Sequence, residues 1–278
     1  MFYKTILCVI SASQGDNDLK QALTLCEQNE SHLAVQVLGI AAPPPVGTYA
    51  ATVSETWAVE RQADIERLSQ RVKEVNDIIA RAQVSADVDS VFVERTVVDD
   101  VVGRRARYAD LAVIGADLRN NEDLRGPVLN GLFFHAQIPA MIFPDDRPMA
   151  LVASNIMIAW DCRLEASRAV HEARPLLAAA GNVHVVMIDP EAGERADGEE
   201  PGADLATYLA RLGAKVTVER VTSSGRSVAE TLQRRAQDMQ ADLVVMGAYG
   251  HSRLRERIFG GVTRSMIEEP AVPVFMAR

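Results

Sequence analysis

A group of residues that could bind an anion lies near the C-terminus of the chain. The group contains two pairs of glycines. Gly247 and Gly250 form the first pair, and Gly260 and Gly261 follow after nine residues. Arg253 lies in the basic stretch between them, and Val262 and Thr263 follow at a predicted helix start. Glycine lets backbone N–H groups approach a ligand closely, and the N-terminus of a helix favours negative charge. The pattern is typical of a phosphate site, although simple turns also use glycine.

A carboxylate follows another predicted strand. Asp161 comes directly after the apolar run 156–160. Ligands of open α/β sheets bind outside the carboxyl ends of the strands, where the strand order reverses. A carboxylate at that edge can accept hydrogen bonds from an amino group or a ribose hydroxyl. The alternative is that Asp161 only caps the helix predicted to begin near Leu164.

Apolar runs of strand length alternate with helical patterns along the whole chain. The predicted strands are 4–10, 33–40, 88–93, 111–115 and 140–143, then 156–160, 182–188, 215–221, 243–246 and 272–276. The main predicted helices are 18–27, 52–82, 99–108, 164–180, 205–212 and 225–240. This alternation predicts βαβ units, and therefore a parallel sheet with helices on both faces.

An internal repeat predicts two domains. The segment 109–116 nearly duplicates 241–248, and a short linker rich in Pro and Asp occupies 144–148. We therefore predict an α/β protein of two tandem Rossmann-like, doubly wound domains, residues 1–147 and 148–278. Each is expected to contain a mainly parallel five-stranded sheet, and domains of this length are of ordinary size.

The composition of the 278 residues excludes several classes of protein. A net charge of −9 and a pI near 5.1 argue against general binding to nucleic acid or anionic membranes. No apolar run reaches the length of roughly 18 residues that a membrane span needs. The three cysteines are widely spaced and the histidines form no metal-ligand pattern, so we expect a cytoplasmic protein without a metal site.

The glycine pattern resembles the nucleotide-binding signature G-x2-G-x9-G-(S/T) of the universal stress protein family, which also occurs in tandem form. Residues 270–276 are similar to the last strand of that family, whereas Gly261 stands where the family has Ser or Thr. The resemblance implies ATP, ADP or AMP as ligand, with or without Mg²⁺, and a role as a sensor in stress signalling. It also implies that the last strand is an association surface. That strand would pair with the other half of the chain, which gives a pseudo-dimer, or with a second chain, which gives a homodimer. The predicted nucleotide contacts are Ala159, Asp161, Met187, Met246, Gly247, Tyr249, Gly250, Arg253, Gly260, Gly261, Val262 and Thr263.

The first half of the chain lacks the corresponding residues. Ser11 stands in place of Asp161, and Leu118 stands in place of Gly250. Pro127 replaces Gly261 and removes a backbone N–H donor. We therefore expect a degenerate first domain and nucleotide binding in the second domain only.

Two other functions are compatible with the sequence. One is a nucleotide-free tandem that acts through its surfaces as a structural or interaction protein. The other is an enzyme that hydrolyses ATP slowly or transfers nucleotidyl groups. The sequence contains neither the phosphate loop G-x-x-x-x-G-K-(S/T) nor the nucleophile pattern G-x-S-x-G, so we expect weak ATPase activity at most.

Overall fold

The computed structural model describes residues 3–47, 50–191, 200–250 and 261–278. Their contacts divide the chain into a first unit, Tyr3–Ala136, and a second unit, Gln137–Arg278. The sequence repeat places its boundary at residue 147 instead, and that boundary stays a prediction. Among the described helices, none is long and apolar enough to cross a membrane.

The first unit contains a parallel sheet in the order β3-β2-β1-β4. Its strands are β1 (Thr5–Ser11), β2 (His32–Ala41), β3 (Ala86–Glu94) and β4 (Leu111–Ile114). Its α-helices are α1 (Asn17–Asn29), α2 (Ala50–Ile79), α3 (Val98–Ala106), α4 (Ala116–Arg119) and α5 (Glu122–Asn130). A 3₁₀ turn covers Arg95–Val97, and a π-helix, Gly131–Ala136, follows α5.

The second unit contains six strands in the order β5-β10-β9-β6-β7-β8. These strands are β5 (Ala140–Ile142), β6 (Asn155–Ala159), β7 (Asn182–Ile188), β8 (Val216–Val221), β9 (Leu243–Gly247) and β10 (Val274–Ala277). The helices are α6 (Leu164–Glu172), α7 (Arg174–Ala179), α8 (Ala203–Arg211), α9 (Val228–Asp238) and α10 (Gly261–Glu268). Among the described strands of this unit, the pairs are parallel except for β5 with β10.

The central strands of the second unit are buried on both faces because helices cover the sheet. Val244, Val245 and Phe275 have no exposed surface, as expected for the continuous apolar runs of parallel strands. The α/β class and the Rossmann-like strand alternation predicted from the sequence are confirmed.

Two local features differ from the sequence prediction. The helix expected over 164–180 is broken into α6 and α7 because Pro175 lacks a backbone N–H and cannot continue the α6 hydrogen-bond ladder. The strand predicted at 140–143 pairs antiparallel with β10, so it belongs to the second unit.

Candidate nucleotide-binding site

A cavity of about 580 Å³ opens at the carboxyl ends of β6, β7 and β9. In the second unit, β6 lies between β9 and β7. The chain continues from β6 to β7 and β8 on one side of β6, and then places β9 on the other side. This is the point of strand-order reversal at which α/β sheets bind ligands. The volume falls within the range of about 300–1,000 Å³ that is usual for small-molecule sites.

Most of the residues predicted to contact a nucleotide lie around this cavity. The predicted residues in its lining are Ala159, Asp161, Met187, Met246, Gly247, Gly250, Val262 and Thr263. The lining also contains residues that sequence reasoning did not select, namely Trp160, Arg163, Val186, Ile188, Asp189, Pro190, Glu191, Val228 and Leu232. Arg253 and Gly260 lie outside the described residues.

The strands contribute apolar side chains to the cavity. Met187 and Met246 are 1% and 5% exposed, and Val186 beside them is fully buried. The N-terminal part of α9 adds Val228 and Leu232. Such a surface can accommodate a flat, weakly polar ring, whereas polar groups at the rim fix its orientation.

Helix α9 begins beside the cavity because a capping box fixes its start. The Ser227 side chain accepts from the N–H of Glu230, and the Glu230 carboxylate accepts from the N–H of Ser227. This reciprocal pair satisfies N–H groups that would otherwise have no partner in the first helical turn. The position of Val228 is therefore set by local sequence.

Gly247 is needed for packing between a helix and a strand. A Cβ at this residue would lie 2.5 Å from the backbone N of Ala166 and 2.6 Å from the carbonyl C of Glu165. The start of α6 can therefore approach the end of β9 only because Gly247 has no side chain. The structure thus gives this glycine a packing role, and Gly247 also lines the cavity, where close approach of a ligand stays a prediction.

The turn after β9 is held by Thr263 on the first turn of α10. The buried Thr263 Oγ1 accepts a hydrogen bond from the backbone N–H of Tyr249, at 3.2 Å. Tyr249 itself has φ +66°, a left-handed conformation that is uncommon for a bulky residue. Its side chain is buried outside the cavity lining, and burial raises the pKa of the phenol. Thr263 thus ties the turn to α10, and the Tyr249 side chain packs in the core.

Gly261 begins α10, and a Cβ on it would meet no atom of the described residues within 4 Å. The described part of the chain therefore gives no packing reason for glycine at the position where the universal stress protein signature has a hydroxyl. Gly250 is also tolerant, since its Cβ would only reach ordinary contact distances from Arg163 and Glu165.

Asp161 does not cap α6 in the way that the alternative interpretation required. Arg163 is the N-cap residue, and no side chain caps the helix. The Asp161 Oδ1 atom instead accepts from the N–H of Arg163 at 3.2 Å, and the Asp161 side chain is half exposed. The carboxylate is therefore available to a ligand at the rim of the cavity.

Arg163 was missed by sequence reasoning. Its Nη1 donates to the carbonyl of Gly250 at 3.0 Å, and its Nε lies 3.7 Å from Oδ2 of Asp161. Arg163 consequently connects the loop after β6 with the turn after β9, 87 residues away. Only the neighbouring Asp161 could have drawn attention to it.

The rest of the charged rim is acidic. Asp189 and Glu191 line the cavity after β7, together with Asp161. Hydrogen bonds from the hydroxyl and the backbone N–H of Ser223 lower the pKa of Asp189, so this carboxyl is ionised at neutral pH. Arg163 is the one cationic side chain among the described lining residues.

The first unit holds a carboxylate of its own at the corresponding turn. Asp18 on α1 is 1% exposed and accepts from the N–H groups of Asp117 and Leu118 at 3.1 and 2.9 Å. In the sequence repeat, these two residues correspond to Tyr249 and Gly250. An internal carboxylate therefore occupies the N–H groups of this turn, and burial raises the pKa of Asp18.

An ion pair is formed near Asp18 in the first unit. The nearly buried Arg71 on α2 donates to the Asp16 carboxylate at 2.6 Å and to the carbonyl of Gly15 at 3.0 Å. The hydrogen bond from Arg71 lowers the pKa of Asp16. The carboxylates of Asp16 and Asp18 are therefore both engaged by groups of the first unit.

Comparison with known proteins assigns a family to the second half of the chain. The family model described as "Universal stress protein family" matches residues 153–278. These residues belong to the universal stress protein family. A universal stress protein of Synechocystis sp. is 29% identical over 99 residues, which are 34% of this chain. The match spans about a third of that relative's own length, 32%.

Solved structures show the fold over nearly the whole chain. A universal stress protein of Archaeoglobus fulgidus superposes with a TM-score of 0.63 at 13% identity, covering 98% of this chain and 96% of its own. A Pseudomonas aeruginosa protein assigned to the same family gives a TM-score of 0.56 at 17% identity, with coverage of 98% and 92%. The first unit therefore shares a fold with such proteins, although the family model matches the second unit.

Proposed function

We propose that the second unit binds ATP or a related adenine nucleotide in the cavity at the ends of β6, β7 and β9. The observation that supports this most is the convergence of two distant segments on one cavity. Asp161 follows β6, whereas Gly250 and Thr263 come from the glycine-containing segment after β9. The buried surface at Met187 and Met246 suits the base, and the start of α10 suits a phosphate.

We further propose that the protein acts as a sensor in a stress response, in which the bound nucleotide sets the stability and partner choice of the second unit. A ligand that binds only the folded state stabilises it by mass action, so nucleotide concentration alone can change the population of folded or closed forms. The Asp18 carboxylate in the first unit favours a single nucleotide per chain. Mg²⁺ would accompany the phosphates of the nucleotide, since this ion usually keeps several waters and binds through substrate phosphates.

The test is calorimetric titration of ATP, with and without Mg²⁺, into the wild type and Asp161→Asn. We expect one site per chain, and about tenfold weaker binding in the variant because one hydrogen bond to a charged acceptor is lost. Asp238→Asn is the matched control, since Asp238 is exposed at the end of α9 and does not line the cavity.

The outcome separates the proposed function from the two alternatives. Absence of binding heat, together with an unchanged melting temperature, would contradict the proposal and favour a nucleotide-free interaction protein. Two equivalent sites per chain would refute the restriction to the second unit. Magnesium-dependent release of ADP or pyrophosphate at a rate that Asp161→Asn lowers would favour an enzyme.

A further inference from the structure

We propose that Arg163 makes this cavity select phosphorylated ligands over nucleosides. The inference rests on the proposed function, because it concerns the ligand of the same site. Arg163 lies outside the glycine signature, and it belongs to the loop between β6 and α6. Its effect on binding can therefore be separated from that of the glycines.

The first argument is the position of the guanidinium. A Cβ placed on Gly250 would lie 3.5 Å from Cδ and 3.7 Å from Nη1 of Arg163. The charged group thus lies directly against the second glycine of the signature, at the turn where a phosphate would approach the backbone. Asp161 holds the other side of the guanidinium through Nε and so orients it across the rim.

The second argument is the charge of the lining. Three carboxylates, those of Asp161, Asp189 and Glu191, face the cavity together with the single described cation, Arg163. Without that cation the described rim would repel a polyanion, because like charges in a partly desolvated site are weakly screened. Gly261 also lacks the hydroxyl that could donate to a phosphate. Arg163 supplies both the positive charge and hydrogen-bond donors that can pair with phosphate oxygens.

Glu165 provides an internal comparison of opposite sign. Its Oε2 lies 3.7 Å from the Cβ position of Gly250, as far as Nη1 of Arg163 does. A phosphate at Gly250 would therefore be attracted by one side chain and repelled by the other. Neutralising each residue in turn should move the affinity for nucleotides in opposite directions and leave the affinity for nucleosides unchanged.

The experiment measures the Kd values of ATP and adenosine for wild type, Arg163→Gln and Glu165→Gln by calorimetry at low and moderate salt. For Arg163→Gln we expect ATP binding to weaken about tenfold or more, because a charge-assisted hydrogen bond is lost, while adenosine binding changes less than about twofold. For Glu165→Gln we expect tighter ATP binding and the same adenosine binding. The effects on ATP should shrink as salt rises.

Arg174→Gln is the matched control for loss of a guanidinium. Arg174 belongs to the same unit, donates from Nε to a backbone carbonyl, that of His171, and does not line the cavity. This variant should bind ATP as the wild type does. Arg163→Lys tests geometry, since it keeps the charge without the planar fork and should recover only part of the affinity.

The results distinguish failure of this inference from failure of the proposed function. Equal loss of ATP and adenosine binding in Arg163→Gln would overturn the inference, because Arg163 would then only hold the loops together. Unchanged binding of both ligands would overturn it as well, while the proposed site would stand. If the wild type bound neither ligand, the proposed function would fail and the inference with it.

Discussion

The packing role of Gly247 leads to a quantitative prediction for Gly247→Ala. The new Cβ would lie 2.5 Å from the N atom of Ala166, 0.5 Å inside the 3.0 Å limit that real Cβ contacts respect. Two further atoms, C and Cβ of Glu165, lie at 2.6 and 2.9 Å. Because two of the three are backbone atoms, the clash can be relieved only by moving the start of α6 away from β9. Overpacking of this kind destabilises proteins by about 1–3 kcal/mol.

The same displacement should weaken nucleotide binding. Asp161 and Arg163 precede α6 directly, so both move with the first turn of that helix. The matched control is Gly261→Ala on α10, where the added methyl would meet no atom of the described residues within 4 Å. We expect that control to retain the stability of the wild type or to gain slightly, since alanine favours the helix more than glycine does.

Urea unfolding followed by tryptophan fluorescence provides the assay. The chain contains two tryptophans, and Trp160 lines the cavity while Trp57 lies on α2 of the first unit. A Trp57→Phe background therefore reports the second unit alone, and the same signal follows ATP binding. The reasoning would be refuted if Gly247→Ala unfolded at the wild-type urea concentration, or if Gly261→Ala lost as much stability.

Two further predictions concern the missing hydroxyl and the buried carboxylate. Gly261→Ser should strengthen ATP binding about two- to tenfold, because it adds one hydrogen bond, and should leave adenosine binding unchanged. Calorimetry measures both affinities, and weaker ATP binding by Gly261→Ser than by Gly261→Ala would contradict this prediction. Burial raises the pKa of Asp18 in the folded state, so the folded protein holds this proton more tightly than the unfolded chain. The difference in unfolding free energy between the wild type and Asp18→Asn should therefore change with pH. It should fall for the wild type as the pH rises from about 3.8, the ordinary pKa of an Asp carboxyl, through the raised pKa of Asp18 in the folded state. Urea midpoints of both proteins at pH 4 and pH 7 measure the change, and a difference that grows in favour of the wild type at pH 7 would disprove it.

The sequence was sufficient to predict the main strands and the placement of several site residues. Continuous apolar runs such as 243–246 become buried parallel strands, and the near-duplication of 109–116 exposes the repeat. Parallel pairing then brings the ends of β6, β7 and β9 to one edge, so Asp161, Met187 and Gly250 line one cavity. These features depend on period and order, which a sequence displays directly.

The features that were missed depend on contacts between distant side chains. Arg163 reaches Gly250 across 87 residues, and Asp18 reaches Leu118 across 100. Their residue types are equally compatible with a solvated surface, so no local pattern distinguishes them. The antiparallel direction of the β5–β10 pair could not be read from the sequence either, because an apolar run of three or four residues does not specify its direction.

Because of the Asp18 carboxylate, the stabilities of the two units would depend differently on nucleotide concentration. In the second unit, a bound ligand would add about 2.7 kcal/mol to the free energy of unfolding when its free concentration is one hundred times its Kd. In the first unit, the Asp18 carboxylate accepts from the N–H groups of the corresponding turn. Because this carboxylate belongs to the chain, its effective concentration at the turn does not change with the nucleotide supply. Under the proposed function, the first unit would keep a constant stability while the second follows the supply of nucleotide, and the difference between their melting temperatures would report that supply.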